Sequence, residues 1–319
     1  SMLRQPPHLL ITTPESLFLM LSSKAREILR RVEYVIVDEI HALFPNKRGV
    51  HLSVTLEHLE ALTGRSCQRI GLSATQRPLD EVAAFLGGGI PAADGAWRPR
   101  PVTILDTGQR KELDLRLLLP VEDLRSLPDK TIWPSIYRQL LQLVREHRST
   151  LVFVNNRRLA ERVTANLNDL AGETIAQTHH GSLSKEKRLE VEGQLKSGRL
   201  PCLVATSSLE LGIDVGAIDL VVQVESPKEV TRGLQRVGRA GHLVGLPSKG
   251  RIIPKTRGDL LECAAILREM RTGLVEPAHS PENCLDVLAQ QLVSLVCVEE
   301  RSEEELFSLV RRAYPYRNL

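Results

Sequence analysis

Short, unbroken runs of apolar residues alternate along the chain with stretches in which apolar residues recur every three to four positions. Runs that lack polar alternation are typical of parallel strands covered on both faces. Their alternation with helical stretches predicts an α/β fold built on parallel sheets. We predict strands at residues 8–13, 34–39, 68–75, 150–155, 201–207 and 219–224.

Periodicity and end signals predict two helices in the middle of the chain. Apolar residues recur every four positions within 157–171, where Gly172 follows as a stop. A second helix is predicted over 184–196, with Ser184 as its N-cap.

The pattern also changes along the chain. The Gly- and Pro-rich stretch 87–101 is a loop by composition, and we place a domain joint near 107–120. The tail is predicted to hold two amphipathic helices and no strand. The first carries the stripe Leu285, Leu288, Leu292, Leu295 and Val296; the second is capped by Ser302 with Glu305 and carries Leu306, Leu309, Val310 and Ala313.

Composition sets limits on the class of protein. The chain has 319 residues, 42% of them apolar, and a net charge of +3, so any basic surface must be local. The five cysteines form no CxxC pair, as is typical of reduced thiols in a cytoplasmic protein. No apolar run approaches the roughly 18 residues of a membrane span. Because Ser1 precedes Met2 and the pattern begins in mid-domain, we expect a piece of a longer protein.

Two adjacent carboxylates, Asp38 and Glu39, end the strand predicted at 34–39. An Asp at a strand end can hold Mg²⁺, and a neighbouring Glu can orient and deprotonate a water. If a nucleotide binds at this pair, His41 is placed to transmit the state of that nucleotide to the rest of the domain. The alternative is a strand-to-helix turn whose carboxylates lie at a helix N-terminus.

The stretch "GLSAT" places Ser73 and Thr75 at the end of another predicted strand. Their hydroxyls can bond to carboxylates at a neighbouring strand end. An ordinary turn at the end of a strand is the alternative.

The segment "TRGLQRVGRAGH" (231–242) combines basic residues with glycines. Gly233 and Gly238 each cost a helix about 1 kcal/mol relative to Ala, which indicates a close approach to the backbone. Guanidinium groups match phosphate oxygens, so the basic face predicts a phosphate clamp; a solvated basic face is the alternative. On a helix, Arg232, Gln235, Arg236 and Arg239 share one face, and Val230, Leu234 and Val237 share the opposite face.

Other polar turns also follow predicted strands. Hydroxyls and free amides there can bind backbone phosphates, and Asp214 can accept from a ribose hydroxyl. A plain turn, an N-cap at Thr13 and metal binding by the adjacent histidines are the alternatives. The residues concerned are Thr13 and Pro14, residues 155–158, His180 to Ser182, Thr206 to Ser208, Gly212 and Asp214.

These segments occur in the order found in superfamily 2 helicases, and the chain resembles above all the large helicase-related (Lhr) family. The ordered segments are "TTPES", "DEIH", "GLSAT", "VFVNNRR", "HHGSLS", "ATSSLELGID" and "QRVGRAGH". Phrases such as "WPSIY", "LDVLAQQLV" and "RRAYPYR" extend the resemblance over nearly the whole chain.

The resemblance implies tandem RecA-like domains with ATP between them and single-stranded nucleic acid across their tops. Residues 1–110 would form the C-terminal part of the first domain, 111–257 the second domain, and 258–319 a linker with the first helices of a winged-helix domain.

Roles follow residue by residue from the same resemblance. Asp38 and Glu39 would hold Mg²⁺ and activate water, with His41 beside them, and Ser73 and Thr75 would couple the sites. Gln235, Arg236 and Arg239 would reach the ATP phosphates, Arg239 as the arginine finger, with Gly212 and Asp214 near the ribose. The nucleic-acid contacts would be Thr13, Pro14, Asn156, Arg157, His180, Gly181, Ser182, Thr206 and Ser207.

The implied activity is 3′-to-5′ translocation on single-stranded DNA and unwinding of duplexes, including RNA–DNA hybrids, in cytoplasmic DNA repair. The sequence contains no GxxxxGK[ST] phosphate loop, so we expect the chain alone not to be an active helicase. Two alternatives stay open: a non-catalytic module that binds single strands, and a parent translocase that does not unwind. We also expect the first sheet to have an exposed edge and face, strained or covered by a second copy.

Overall fold

The computed structural model describes residues 2–74, 76–92, 96–106, 112–125, 127, 131–209, 216, 218–241 and 247–319. The chain divides into two compact units. The first comprises residues 1–107 and 277–319, and the second comprises residues 108–276. Among the described residues, no helix combines the length and hydrophobicity that a membrane crossing requires.

Helices and strands alternate through most of the chain. The α-helices are α1 (Pro14–Leu21), α2 (Arg26–Leu29), α3 (Ile40–Leu43), α4 (Lys47–Thr63), α5 (Leu79–Gly87), α6 (Trp133–Glu146), α7 (Arg157–Ala171), α8 (Lys185–Lys196), α9 (Val230–Val237), α10 (Arg257–Thr272), α11 (Leu285–Val296) and α12 (Glu303–Arg311). The strands are β1 (Tyr34–Val37), β2 (Gln68–Gly71), β3 (Gly89–Pro91), β4 (Trp97–Pro99), β5 (Leu113–Leu117), β6 (Thr150–Phe153), β7 (Ala176–His179), β8 (Cys202–Ala205), β9 (Leu220–Val224) and β10 (Ser248–Ile253).

In the first unit, helices pack around α4. The Asn46 side chain caps this helix by accepting from the N–H groups of Arg48 and Gly49, and Gly64 ends it in the left-handed region. Buried leucines of α4 meet α1, α3 and α5 in one apolar cluster. Beside this cluster, β1 and β2 pair in parallel, with Tyr34 opposite Gln68.

Two predictions for the first unit are wrong. Residues 8–13 form no strand, because a strand needs a hydrogen-bonded neighbour and no described strand pairs with them; Ile11 is 89% exposed. The predicted loop 87–101 contains the antiparallel pair β3–β4, in which Trp97 packs against Gly89 so closely that a Cβ there would lie 2.1 Å from the ring.

The pair β1–β2 leaves apolar side chains uncovered, as the sequence predicts for this sheet. Tyr34, Ile36, Ile70 and Leu72 are all exposed. Coverage of this exposed face by a second copy of the chain stays a prediction.

The described strands of the second unit form one parallel sheet in the order β5-β10-β9-β6-β8-β7. Alternate residues of β6 enter different apolar clusters, Leu151 one and Val152 the other, so the sheet is covered on both faces. The predicted buried strands near 150, 201 and 219 are confirmed, and so are helices α7 and α8 with their caps Gly172 and Ser184.

Strands β5 and β10 are not among the predicted strands, because polar residues break their apolar patterns. In β10 the buried Arg251 donates to Asp114 of β5, with 2.8 Å between Nη2 and Oδ2. Gly250 lies so close to its neighbours that a Cβ would come within 2.7 Å of Leu115 and of Val237. A charged pair and a glycine therefore occupy positions where apolar residues are expected.

The C-terminal helices divide between the two units. Helix α10 belongs to the second unit, whereas residues 277–319 belong to the first. In α11, Gln291 Nε2 donates to Thr55 Oγ1 of α4 across 3.0 Å. A boundary at residues 257/258 is therefore not marked by separate packing.

The predicted apolar stripe of α11 is wrong in part. Its buried residues are Val287, Gln291, Ser294 and Leu295, whereas Leu285 is exposed. Small and polar residues face α4 because α4 presents Thr55 and the carbonyl of His51 there. The capping box at the start of α12, formed by Ser302 and Glu305, is confirmed.

Candidate functional site

The acidic pair lies in a strained turn directly after β1. Glu39 has φ of 51°, in the left-handed region that non-glycine residues rarely adopt. Its N–H donates to Asp38 Oδ1 across 2.9 Å. Strain of this kind concentrates at functional sites, because the surrounding structure must hold it.

His41 connects the acidic turn to the turn after β2. Its buried ring accepts at Nδ1 from the N–H of Ala74, 3.0 Å away, which assigns the ring proton of the neutral form to Nε2. Nε2 lies 3.4 Å from Glu39 Oε2. Burial lowers the pKa of His41 and outweighs the opposite effect of Glu39 and Asp38, so the ring is neutral near pH 7.

The turn after β2 meets the acidic turn through backbone groups. Ile40 N donates to Leu72 O across 3.0 Å, and the Ser73 hydroxyl donates to the carbonyl of Ala74 across 2.9 Å. The alternative of an ordinary turn therefore describes Ser73, and His41 is the side chain that links the two turns. Thr75 lies outside the described residues.

Thr13 and Pro14 begin α1. The Thr13 hydroxyl accepts from Ser16 N across 3.2 Å, and Pro14 occupies the first turn. The N-cap alternative is confirmed for Thr13, and its predicted phosphate contact stays a prediction.

In the second unit, an open groove of about 840 Å³ lies where β6 and β8 end. Ligands bind preferentially at the carboxyl ends of the strands in open parallel sheets. Arg157 Nη1 donates to Ser182 Oγ across 2.5 Å, which links the start of α7 to the turn after β7. The lining residues are Asn155, Asn156, Arg157, Arg158, Gly181, Thr206, Ser207 and Ser208, which include five of the predicted nucleic-acid residues.

The two adjacent histidines support this groove from beneath. His179 is buried, with Nδ1 2.9 Å from Ser208 Oγ and Nε2 3.0 Å from Glu192 Oε1. His180 is also buried, and its Nε2 lies 3.4 Å from Glu161 Oε1. From this turn it is Gly181, not His180, that lines the groove.

The basic helix is shorter than predicted. Helix α9 ends at Val237, with Gly238 as its C-cap, so the prediction that Arg239 continues the helix is wrong. Arg239 lies in the following turn, where its N–H donates to Arg236 O across 3.1 Å. The predicted apolar face is confirmed: Val230 and Val237 are buried in the core, and Leu234 packs against it.

The basic face is also divided. Arg236 is only 3% exposed, and its Nη1 donates to Gln223 Oε1. Its guanidinium carbon lies 5.2 Å from the centre of the Phe153 ring. Gln235 and Arg239 are half-buried, so they have access to solvent that Arg236 lacks.

The residues that hold α9 in place are not among the predicted site residues. Glu276 accepts from Val230 N and from Thr231 N at the start of the helix, and Gln223 anchors Arg236. Gln223 is the single polar residue in the apolar run 220–224, and this is the feature of the sequence that could have indicated a special role for it. The close approach predicted at Gly233 is confirmed, because a Cβ there would lie 2.8 Å from Met270 Sδ of α10. Gly212 and Asp214 lie outside the described residues.

Comparisons with protein families match three segments of the chain. Residues 1–82 match the DEAD/DEAH box helicase family, and residues 135–243 match the helicase conserved C-terminal domain. Residues 268–319 match the winged helix domain of the large helicase-related protein.

Curated relatives match along the whole chain. The Lhr helicase/probable uracil glycosylase of Mycolicibacterium smegmatis is 46% identical over 100% of this chain and 23% of its own length. The ATP-dependent helicase Lhr-Core of Methanocaldococcus jannaschii is 46% identical over 100% of this chain and 36% of its own length. The chain thus spans about a quarter to a third of these relatives.

Solved structures show the same similarity. The structure of Mycobacterium smegmatis helicase Lhr bound to ssDNA and AMP-PNP matches with a TM-score of 0.91 and 50% identity, over 100% of this chain and 41% of that one. The DUF1998 helicase MrfA bound to DNA matches with a TM-score of 0.73 at 22% identity, over 92% of this chain and 39% of that one, which is a likeness of fold alone.

Proposed function

This chain belongs to the large helicase-related (Lhr) family of helicases, and we propose on that basis that it is part of an ATP-driven motor. The longer protein moves 3′ to 5′ along single-stranded DNA and unwinds duplexes, among them RNA–DNA hybrids, in cytoplasmic DNA repair. The observation that carries the proposal is the acidic turn, in which a strained Glu39 is joined through His41 to the turn after β2.

The acidic turn fits a magnesium ion. Carboxylate oxygens are the ligands that Mg²⁺ prefers, and Asp38 is exposed at the end of β1, where it can bind the ion directly or through water. Asp38 and Glu39 would hold the ion, which when bound neutralises charge on the ATP phosphates. Glu39 orients the attacking water and accepts its proton. The Nε2 atom of neutral His41 lies 3.4 Å from Glu39 Oε2, beside the carboxylate that would activate the water.

Residues of the second unit also have proposed roles in ATP hydrolysis. Gln235 and Arg239 contact the phosphates, with Arg239 as the arginine finger that stabilises negative charge in the transition state. The buried contacts of Arg236 with Gln223 and Phe153 favour a positioning role for its guanidinium. Gly212 and Asp214 remain the proposed neighbours of the ribose.

The groove of the second unit holds the phosphates of a single strand. The first N–H groups of α7 and the hydroxyls after β8 supply donors, and Arg157 supplies positive charge. Asn156, Arg157, Gly181, Ser182, Thr206 and Ser207 form this contact, and Thr13 with Pro14 adds one from the first unit.

Substitution of the acidic pair in the longer protein tests the motor. Glu39→Gln keeps the shape of the side chain but removes the base, so we expect ATP hydrolysis stimulated by single strands to fall by about 10²–10⁴-fold. Glu33→Gln, at an exposed ion pair with Arg65, is the matched control. Near-normal hydrolysis by Glu39→Gln would contradict the proposal. Displacement of a strand from a 3′-tailed duplex separates a helicase from a translocase that does not unwind.

The groove also supports a second candidate function, for the chain by itself. Because it contains no GxxxxGK[ST] sequence, we propose that the chain alone binds single strands without ATP turnover. Fluorescence anisotropy of labelled oligothymidylate, measured against salt concentration, tests this activity. Absence of binding at low salt would reject it.

A further inference from the structure

A second recess of the second unit is lined by an aromatic pair and a guanidinium. Trp133, the first residue of α6, stacks on Tyr137 with ring centres 5.7 Å apart and planes at 27°. The guanidinium carbon of Arg162, in α7, lies 4.2 Å from the centre of the Trp133 ring. Arg138, Asn166 and Thr131 complete much of the lining of this recess, whose volume is about 390 Å³.

The recess lies at the same edge of the sheet as the groove. Helix α6 leads into β6 and so runs back along the sheet, which places Trp133 toward the carboxyl end of the strands. Helix α7 begins at that edge with Arg157, and Arg162 follows about 7.5 Å along the helix axis.

Side-chain contacts join the two sites. Asn155 lines the groove, and its Nδ2 donates to Glu225 Oε2 across 3.3 Å. The other oxygen of Glu225 accepts from Lys255 Nζ across 2.5 Å. The same Nζ lies 6.0 Å from the centre of the Trp133 ring. The groove and the recess are therefore neighbours on the second unit.

The chemistry of the recess suits a nucleobase. Every base has a π-face that stacks on aromatic rings and on guanidinium planes, whatever its sequence. Arg138 and Arg162 give the lining positive charge, which suits a polyanion, whereas the charge of Lys255 is paired with Glu225. Trp133 packs in part against the apolar core, is half-buried and lines the recess together with Tyr137 and Arg162.

We propose that a base of the single strand held in the groove stacks in this recess against Trp133 and Arg162. The inference rests on the proposed function, since it needs a strand in the groove. It assigns stacking to the recess and phosphate binding to the groove.

Tryptophan fluorescence tests the stacking directly. The chain has two tryptophans, Trp97 and Trp133, so Trp97→Phe leaves Trp133 as the single reporter. Oligothymidylate of about 12 nucleotides is compared with an abasic strand of equal length, which keeps the phosphates but removes the bases. We expect the Trp133 emission to change with the oligothymidylate only. Trp133→Phe, which retains Trp97 in the first unit, is the control and should show no change.

Binding affinity gives an independent measurement. We expect Trp133→Ala to weaken binding of oligothymidylate about tenfold, with unchanged affinity for the abasic strand, and Trp133→Phe to restore most of the loss. Arg157→Gln should instead weaken binding of both strands and lower the salt slope by about 1. Circular dichroism checks that each variant folds. If Trp133→Ala does not fold, the fluorescence of the Trp97→Phe variant still tests the stacking.

The outcomes separate the two proposals. Equal affinities of wild type and Trp133→Ala for both strands, or an unchanged Trp133 emission during saturable binding, would overturn the stacking site while the groove stands. Absence of any binding at low salt would overturn the groove and the stacking site together.

Discussion

His41 accepts a hydrogen bond from the backbone N–H of Ala74, with 3.0 Å between the two nitrogens. Because Nδ1 is the acceptor, the proton lies on Nε2, which faces Glu39 Oε2 at 3.4 Å. The neutral imidazole thus bonds to the turn that follows the neighbouring strand, and its other nitrogen lies near the carboxylate proposed to activate water. The sequence predicts contacts between the hydroxyls of Ser73 and Thr75 and the carboxylates at the neighbouring strand end. The link through His41 does not require them.

Removal of this link should reduce the activity of the longer protein. We expect His41→Ala to lower ATP hydrolysis stimulated by single strands by about 10–100-fold, because the side chain that bonds the acidic turn to the turn after β2 is lost. Nucleotide binding should change much less. His8→Ala, at an exposed position of the same unit, is the control. Wild-type turnover in His41→Ala would show that the contact is only structural.

The buried ion cluster of the first unit should determine its stability. Glu57 is fully buried and lies 2.8 Å from Arg69, 2.8 Å from Arg100 and 2.9 Å from Arg312. Burial raises the pKa of Glu57, but the arginines outweigh it and hold this pKa below its usual range. We expect Glu57→Gln to lower the free energy of unfolding by about 3–5 kcal/mol, because it removes one of the two buried carboxylates, Glu57 and Glu60, that neutralise these three guanidiniums.

Urea denaturation measures this effect, with Trp97 emission in a Trp133→Phe background reporting on the first unit. Glu27→Gln removes an exposed pair with Arg30, which water screens, and should cost far less than Glu57→Gln. Equal effects of the two substitutions would contradict the prediction.

Acidification should destabilise the first unit through His58. Burial, together with Arg301 and Arg26, lowers the pKa of this histidine from 6.5 to about 4. In the unfolded chain the ring takes up a proton near pH 6.5, whereas in the folded chain it resists protonation down to about pH 4. The stabilisation is therefore present above pH 6.5 and is lost as the pH falls from 6.5 toward 4.

We expect a loss of about 2 kcal/mol from His58 between pH 7 and pH 5. The His58→Gln variant lacks the titrating group, so its free energy of unfolding should depend less on pH over this interval. Urea denaturation at both pH values measures the difference. Parallel pH profiles of the variant and the wild type would refute the assignment to His58.

Two helical glycines should respond oppositely to alanine. At Gly49 a Cβ would lie 2.0 Å from the carbonyl oxygen of Leu43, so Gly49→Ala requires the backbone to shift and should cost at least about 1–3 kcal/mol. At Gly193, inside α8, nothing lies within 4 Å of the added Cβ. Gly193→Ala should therefore stabilise the protein by about 0.5–1 kcal/mol. Thermal unfolding distinguishes the two, and a stabilised Gly49→Ala would be the contrary result.

Local signals in the sequence were enough for much of the fold. The apolar runs at β6, β8 and β9, the cap at Ser184 and the stop at Gly172 depend on neighbouring residues alone, and all are observed. The prediction failed at β10, where Arg251 and Gly250 interrupt the pattern. Which residue fits at these two positions depends on a partner strand that lies more than 100 positions away in the sequence. A local pattern carries no information about that strand.

The sequence by itself determined the alternation of strands and helices, the order of the polar turns and hence the family, because periodicity and spacing are properties of the chain. Only the tertiary structure decided which polar groups meet. It buried Arg236 against Gln223, ended α9 before Arg239, and placed Trp133 beside Arg162. The order of strands brings such residues together, and the distances that decide hydrogen bonding and charge exist only after the sheet has assembled.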